Sequence, residues 1–177
     1  MKLLKLLPLM LLGACSSGPS NTEALKSFAA VSNAMATTQS AAVSAARTPA
    51  VAPPATLTLN YSGPCLVGGT AAVTGSYDGD GTGQQAAFNL TTTFTGCQTA
   101  LGTIDGSLSW TSTVNGTTYT AAMTGSLDYQ DPNTAFSCDY DLQSSVAVSG
   151  ASTDISYSGS LCGFDVNTDL HVNTSGT

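Results

Sequence analysis

The sequence predicts an all-β protein: an antiparallel up-and-down meander of about eight strands, as a curved sheet or a soluble barrel, preceded by one N-terminal helix and stapled by two disulfides. Three observations carry this. From Ala55 onward, apolar residues recur at every second position in about eight runs, with Thr, Ser, Asn and Asp between them. Turn signals separate the runs: Asp78-Gly79-Asp80-Gly81, Asn115-Gly116, Asp131-Pro132-Asn133 and Ser149-Gly150. Four cysteines, Cys65, Cys97, Cys138 and Cys162, are spread through the same region.

The chain opens with Met1-Lys2-Leu3-Leu4-Lys5 and runs apolar from Leu6 to Leu12. A charged start, a short apolar run and small residues make a secretory signal over residues 1–14, too short to span a bilayer as a lasting helix. The stretch Leu12-Gly13-Ala14-Cys15 that closes it resembles the lipobox of bacterial lipoproteins. The resemblance covers residues 1–15 only. It implies cleavage before Cys15, diacylation of the Cys15 sulfur and a third acyl chain on the new N-terminus. Ser16 follows the cysteine where an Asp would favour retention, so the resemblance also implies sorting to the outer membrane, on its periplasmic face or at the cell surface.

Residues 15–20 are the lipidated N-terminus and a polar spacer. Ser20-Asn21-Thr22-Glu23 then has capping-box form. Leu25, Phe28, Ala29, Ser32, Met35, Ala36 and Val43 fall near helical spacing in an Ala-rich segment, which predicts one long helix over 21–46, followed by Arg47. A disordered Ala/Ser/Thr tether is the competing reading. Residues 48–54 are a stiff proline linker, and 55–177 form the β domain.

Within that domain, a two-residue turn at Asn115-Gly116 would place Trp110 opposite Ala121, Leu108 opposite Met123, Gly106 opposite Gly125 and Ile104 opposite Leu127. Each is an apolar-face pair. In the next hairpin, Tyr129 opposite Phe136 brings Tyr140 over Gly125. A motif recurs four times: Val73-Thr74-Gly75-Ser76-Tyr77, Ile104-Asp105-Gly106-Ser107-Leu108, Met123-Thr124-Gly125-Ser126-Leu127 and Tyr157-Ser158-Gly159-Ser160-Leu161. Its glycine lies on the apolar face. Adjacent glycines such as Gly106 and Gly125 would leave a shallow groove for an Ala-rich helix; alternatively, the glycines only let the sheet bend. Strand direction in a meander puts all four cysteines near one edge. The expected pairs are Cys65–Cys97 and Cys138–Cys162.

Charge restricts function. The net charge is −7, and the only cations are Lys2, Lys5, Lys26 and Arg47. Ten Asp lie beyond Thr48 without one Lys or Arg among them. Such a surface repels nucleic acid and anionic headgroups. The alternation points Asp128, Asp139, Asp141, Asp154, Asp165 and Asp169 outward as an acidic outer face, too solvated for the raised carboxyl of a glycosidase. His171 is the only histidine and sits beside Asp169 on the polar face, which reads as a solvated pair rather than a triad. No cysteine pair has zinc spacing. Asp78 and Asp80 offer a weak calcium candidate on an Asp/Gly hairpin. A membrane-spanning barrel is disfavoured by the cysteines and by small side chains where a lipid-facing band is needed. The expectation is a non-enzymatic envelope or cell-surface protein, without cofactor, held to the membrane at Cys15, with a binding or structural role. The alternative is a carrier of apolar ligands on the concave face of a half-barrel, by analogy of shape with lipocalins and lipoprotein receptors.

Overall fold

A computed structural model describes residues 18–46, 56–79, 85–150 and 152–173. The expected signal segment, Cys15, the proline-rich residues 48–54 and Asp80 lie outside the described residues. One helix, α1 (Asn21–Ala46), precedes eight strands: β1 (Thr56–Pro64), β2 (Gly68–Gly79), β3 (Gln85–Thr99), β4 (Gly102–Asn115), β5 (Thr118–Gln130), β6 (Ala135–Ser149), β7 (Ser152–Leu161) and β8 (Phe164–Asn173). They form a single antiparallel sheet in the order β1 to β8. The two ends do not meet, so the sheet is open rather than a barrel.

The apolar face of the sheet is the one α1 covers. Ala30, Val31, Ala34 and Met35 share one buried cluster with Ala71 of β2, Ile104 and Leu108 of β4, Leu127 of β5, Tyr140 of β6 and Leu161 of β7. Ala42 closes a second cluster over Leu59, Val73 and Leu90. The strands that α1 meets, from β1 to β6, span about 25 Å at the usual strand spacing, whereas a helix is ~10 Å across. One helix touches that width only if the sheet wraps around it.

The repeated glycines make this possible. Gly75, Gly106, Gly125 and Gly159 have φ of 143°, 120°, 139° and 117°. This region is open to glycine and strained for other residues. A Cβ at these positions would collide with the carbonyl oxygen of Asn89, Ser126, Ser107 or Asp141 on the neighbouring strand. Large side chains flank each glycine across the ladder: Leu59 and Leu90 beside Gly75, Leu108 and Tyr140 beside Gly125. The glycines are therefore bending points roofed by neighbours. The adjacent Gly106/Gly125 groove does not form, because Gly106 faces Leu127 and Gly125 faces Leu108.

That difference has a local cause. The β4–β5 turn is Gly116-Thr117, with Asn115 paired to Thr118, so the register lies two places from the Asn115-Gly116 expectation. Gly116 has φ 58° and Thr117 does not have positive φ, which matches a II′ turn with glycine first. A shift of two preserves every face, so alternation alone cannot detect it. The β5–β6 register is as expected, with Tyr129 opposite Phe136 and Gly125 opposite Tyr140.

Both disulfides pair as expected, Cys65–Cys97 and Cys138–Cys162, and close loops of 32 and 24 residues. Chain entropy assigns about 3–4 kcal/mol to each. A bulge between Phe94 and Cys97 re-phases β3, so that Cys97 opposes Ile104 and is fully buried.

Because the glycines set the bend, Gly75→Ala and Gly159→Ala should each lower stability by about 2–4 kcal/mol in denaturant titrations. Gly18→Ala, with open space around the position, should change it by less than about 0.5 kcal/mol.

Candidate functional site

Two regions are built strongly enough to carry function: the junction where the chain enters α1, and the outer face of the sheet. The junction starts with the capping box. The Ser20 N–H donates to Glu23 Oε2 at 2.6 Å, and the Glu23 N–H donates to Ser20 Oγ at 3.3 Å. The Ser20 N–H, then the Ser20 and Thr134 hydroxyls, hold the Glu23 carboxyl below its ordinary 4.5. One turn on, Lys26 Nζ lies 3.8 Å from Asp131 Oδ2 in the β5–β6 turn. Asp131 Oδ1 accepts from the N–H groups of Asn133 (2.7 Å) and Thr134 (2.9 Å), which hold its carboxyl below 3.8, with help from Lys26. Ser27 is fully buried and shares a 2.5 Å hydrogen bond with the Tyr140 hydroxyl. The Tyr129 hydroxyl donates to Leu101 O, which ties in the β3–β4 turn.

These contacts fix the first two turns of α1 to one edge of the sheet. Sequence reasoning found the capping box but not the partners. Asp131 reads as part of the Asp131-Pro132-Asn133 turn signal, and nothing in the sequence links Lys26 or Ser27 to it or to Tyr140. The buried side of the helix is Ala24, Ser27, Ala30, Val31, Ala34, Met35, Thr38 and Ala42; of the expected stripe Met35 is buried and Phe28 and Val43 pack on the core, while Leu25 and Ala36 are exposed. Small residues carry little hydropathy signal, yet they let a helix approach a sheet closely.

On the outer face, Thr113, Thr120, Ser145 and Ser156 stand opposite one another on β4 to β7. Asp169 of β8 extends the row beyond Ser156. Thr113 and Thr120 share a 2.7 Å hydrogen bond, and Ser145 and Ser156 share one of 2.8 Å. The four line an open groove of about 450 Å³ together with Asn89, Gln143 and Asp78. Its polar groups are mostly hydroxyls and amides, interspersed with apolar surface from Ala87, Phe88, Ala121 and Ala122. Only the polar half of the alternation was legible in sequence; the row depends on register.

No family model matches the chain, and no curated protein or solved structure matches it.

The remaining candidates fall as follows. Asp128, Asp139, Asp141, Asp154, Asp165 and Asp169 are all exposed. Asp128 accepts from the Ser137 hydroxyl at 2.5 Å. Among the described residues no three metal-ligating side chains come together. Asp78 is exposed at the mouth of the groove, and its proposed calcium partner Asp80 lies outside the described residues. His171 opposes Asp154 in the backbone register, and Asp169 opposes Ser156. No described helix is long and apolar enough to cross a membrane.

Burial pushes the Tyr140 hydroxyl up to about 12 from 10.0, against a smaller opposite effect of its Ser27 bond. Tyr119 and Tyr129 are also raised, again chiefly by burial. In each, the folded state holds the proton after the unfolded state has released it. Their contribution is complete below pH 10 and lost as pH rises through the folded values. Glu23 and Asp131 act at the other end, with contributions complete above their ordinary values and lost as pH falls. Urea titrations should therefore show stability falling between about pH 10 and 12. Tyr140→Phe should remove up to about 2–3 kcal/mol of that pH dependence, while lowering stability at neutral pH by about 1–3 kcal/mol through the unpaired Ser27 hydroxyl. An unchanged alkaline slope would show that Tyr140 does not carry it.

Proposed function

We propose that this chain is a lipid-anchored envelope or cell-surface protein with a non-catalytic binding or structural role, held in the outer membrane by acyl chains on Cys15. The observation that carries the reading is Leu12-Gly13-Ala14-Cys15 after a lysine-flanked apolar run. Two features support it. The five residues after Cys15 lead directly into the capped start of α1, so a lipid there would be coupled to a folded domain by a short spacer. The mature chain would hold two cations against eleven acids, which gives no electrostatic attraction to an anionic bilayer and leaves the acyl chains as its hold.

α1 lies on the apolar face and makes it a core, which weighs against a carrier that needs this face open. The outer face, with its hydroxyl groove and acidic rim, is the surface free to meet a partner. Its acidity argues against nucleic acid.

Metabolic labelling with a palmitate analogue in an expressing bacterium should tag the full chain, and Cys15→Ala should abolish the tag and release the protein from the membrane fraction. A wild-type chain that takes no label contradicts the proposal.

A further inference from the structure

We infer that the edge of the sheet carrying the disulfides is a membrane-docking rim, which seats its exposed apolar side chains in the interface of the bilayer that holds the Cys15 lipid. This rests on the proposed anchor and adds an orientation and a second contact to it.

The rim is defined by the meander. The β1–β2, β3–β4, β5–β6 and β7–β8 turns all lie on one edge. Cys65–Cys97 and the hydrogen bond from Val67 N–H to Gln98 O join the first turn to the second. The Tyr129 bond to Leu101 O joins the second to the third. The N-terminal end of α1 is fixed to the same edge by Lys26–Asp131 and Ser27–Tyr140.

Six large apolar side chains are exposed among the described residues, and four are on this rim: Leu66 (81%), Val67 (62%), Leu25 (57%) and Leu101 (39%). Leu66 and Val67 are the two most exposed of the six. Neither packs on the core, and a turn tip open to water normally carries polar residues.

Tether length selects the occupant. Residues 16–20 reach at most about 18 Å when fully extended. The acyl chains on Cys15 would hold the start of α1, and the rim with it, within that distance of the surface. The opposite edge of the sheet stands about 40 Å away along strands of this length. The rim is thus the part of the domain delivered to the bilayer, and it carries the most exposed Leu and Val of the described residues, Leu66 and Val67. With so few cations on the chain, the contact is apolar and does not call for anionic lipid.

The test uses the full lipidated chain with Trp110→Phe, which removes the only native tryptophan. Leu66→Trp places a reporter on the rim, and Val148→Trp places one near the opposite edge; both positions are exposed, so neither disturbs the core. Each protein is reconstituted into phosphatidylcholine vesicles with or without acyl-brominated phosphatidylcholine. The rim reporter should be quenched about twofold or more, and the Val148→Trp reporter should be unaffected. Equal quenching of the two reporters, or none, in protein that floats with the vesicles overturns the rim contact and leaves the anchor standing. Protein that does not float overturns the anchor, and the rim with it.

Discussion

The structure depends on one constraint: eight strands have a single apolar face, and one helix must cover it. A flat sheet of this width is too broad for a helix to seal. The chain meets the constraint from both sides. Four glycines in conformations unfavourable to other residues let the sheet wrap, and α1 presents mostly small residues, Ala24, Ser27, Ala30, Ala34, Thr38 and Ala42 with Val31 and Met35 among them, a face that lies in the resulting trough. The two solutions need each other. A bulky helix face would force the sheet open, and a sheet without its bends would leave outlying strands in water.

The rest of the molecule follows from that packing. Since α1 supplies part of the core, its start must be fixed in place, and the Glu23, Lys26 and Ser27 contacts to Thr134, Asp131 and Tyr140 do this. Of these, Ser27–Tyr140 carries the most weight because it is buried, whereas Lys26 is half open to water and lies 3.8 Å from the covered Asp131 carboxylate, so that ion pair adds less. The same contacts couple any force on the N-terminus to the sheet edge. The disulfides reinforce that edge, where two turns would otherwise be held by few backbone bonds. Most of the apolar face goes into the core, although Val148 and Tyr157 on β6 and β7 stay exposed on it.

Much of this was legible in sequence, for identifiable reasons. Period-two alternation survives in a sheet with one wet face, so the strands and the covered side could be read directly. The meander fixed strand direction, and direction brought the right cysteines together. The β5–β6 register followed from pairing Tyr129 with Phe136, which brings Tyr140 over Gly125. Three things were not legible. The β4–β5 register differs by two places, a change invisible to face patterns, because Gly116-Thr117 turns the chain where Asn115-Gly116 was expected. The bulge before Cys97 breaks the alternation without a clear residue signature beyond Gly96. Much of the buried helix face is Ala, Ser and Thr, so hydropathy found Met35 but passed over Ala24, Ser27, Ala34, Thr38 and Ala42 and included Leu25, which is exposed. The hydroxyl row on the outer face depends on register across four strands and could not be assembled from any one of them.

The central claim is that α1 is part of the core and not a tether lying near it. Native-state amide hydrogen exchange on the full chain tests this most directly. The account predicts that amides from Val31 to Ala42 are protected to the level of those in β3, β4 and β5, and lose protection with them in a single unfolding event. Exchange of α1 at the rate of an unfolded peptide while the strands stay protected would contradict it.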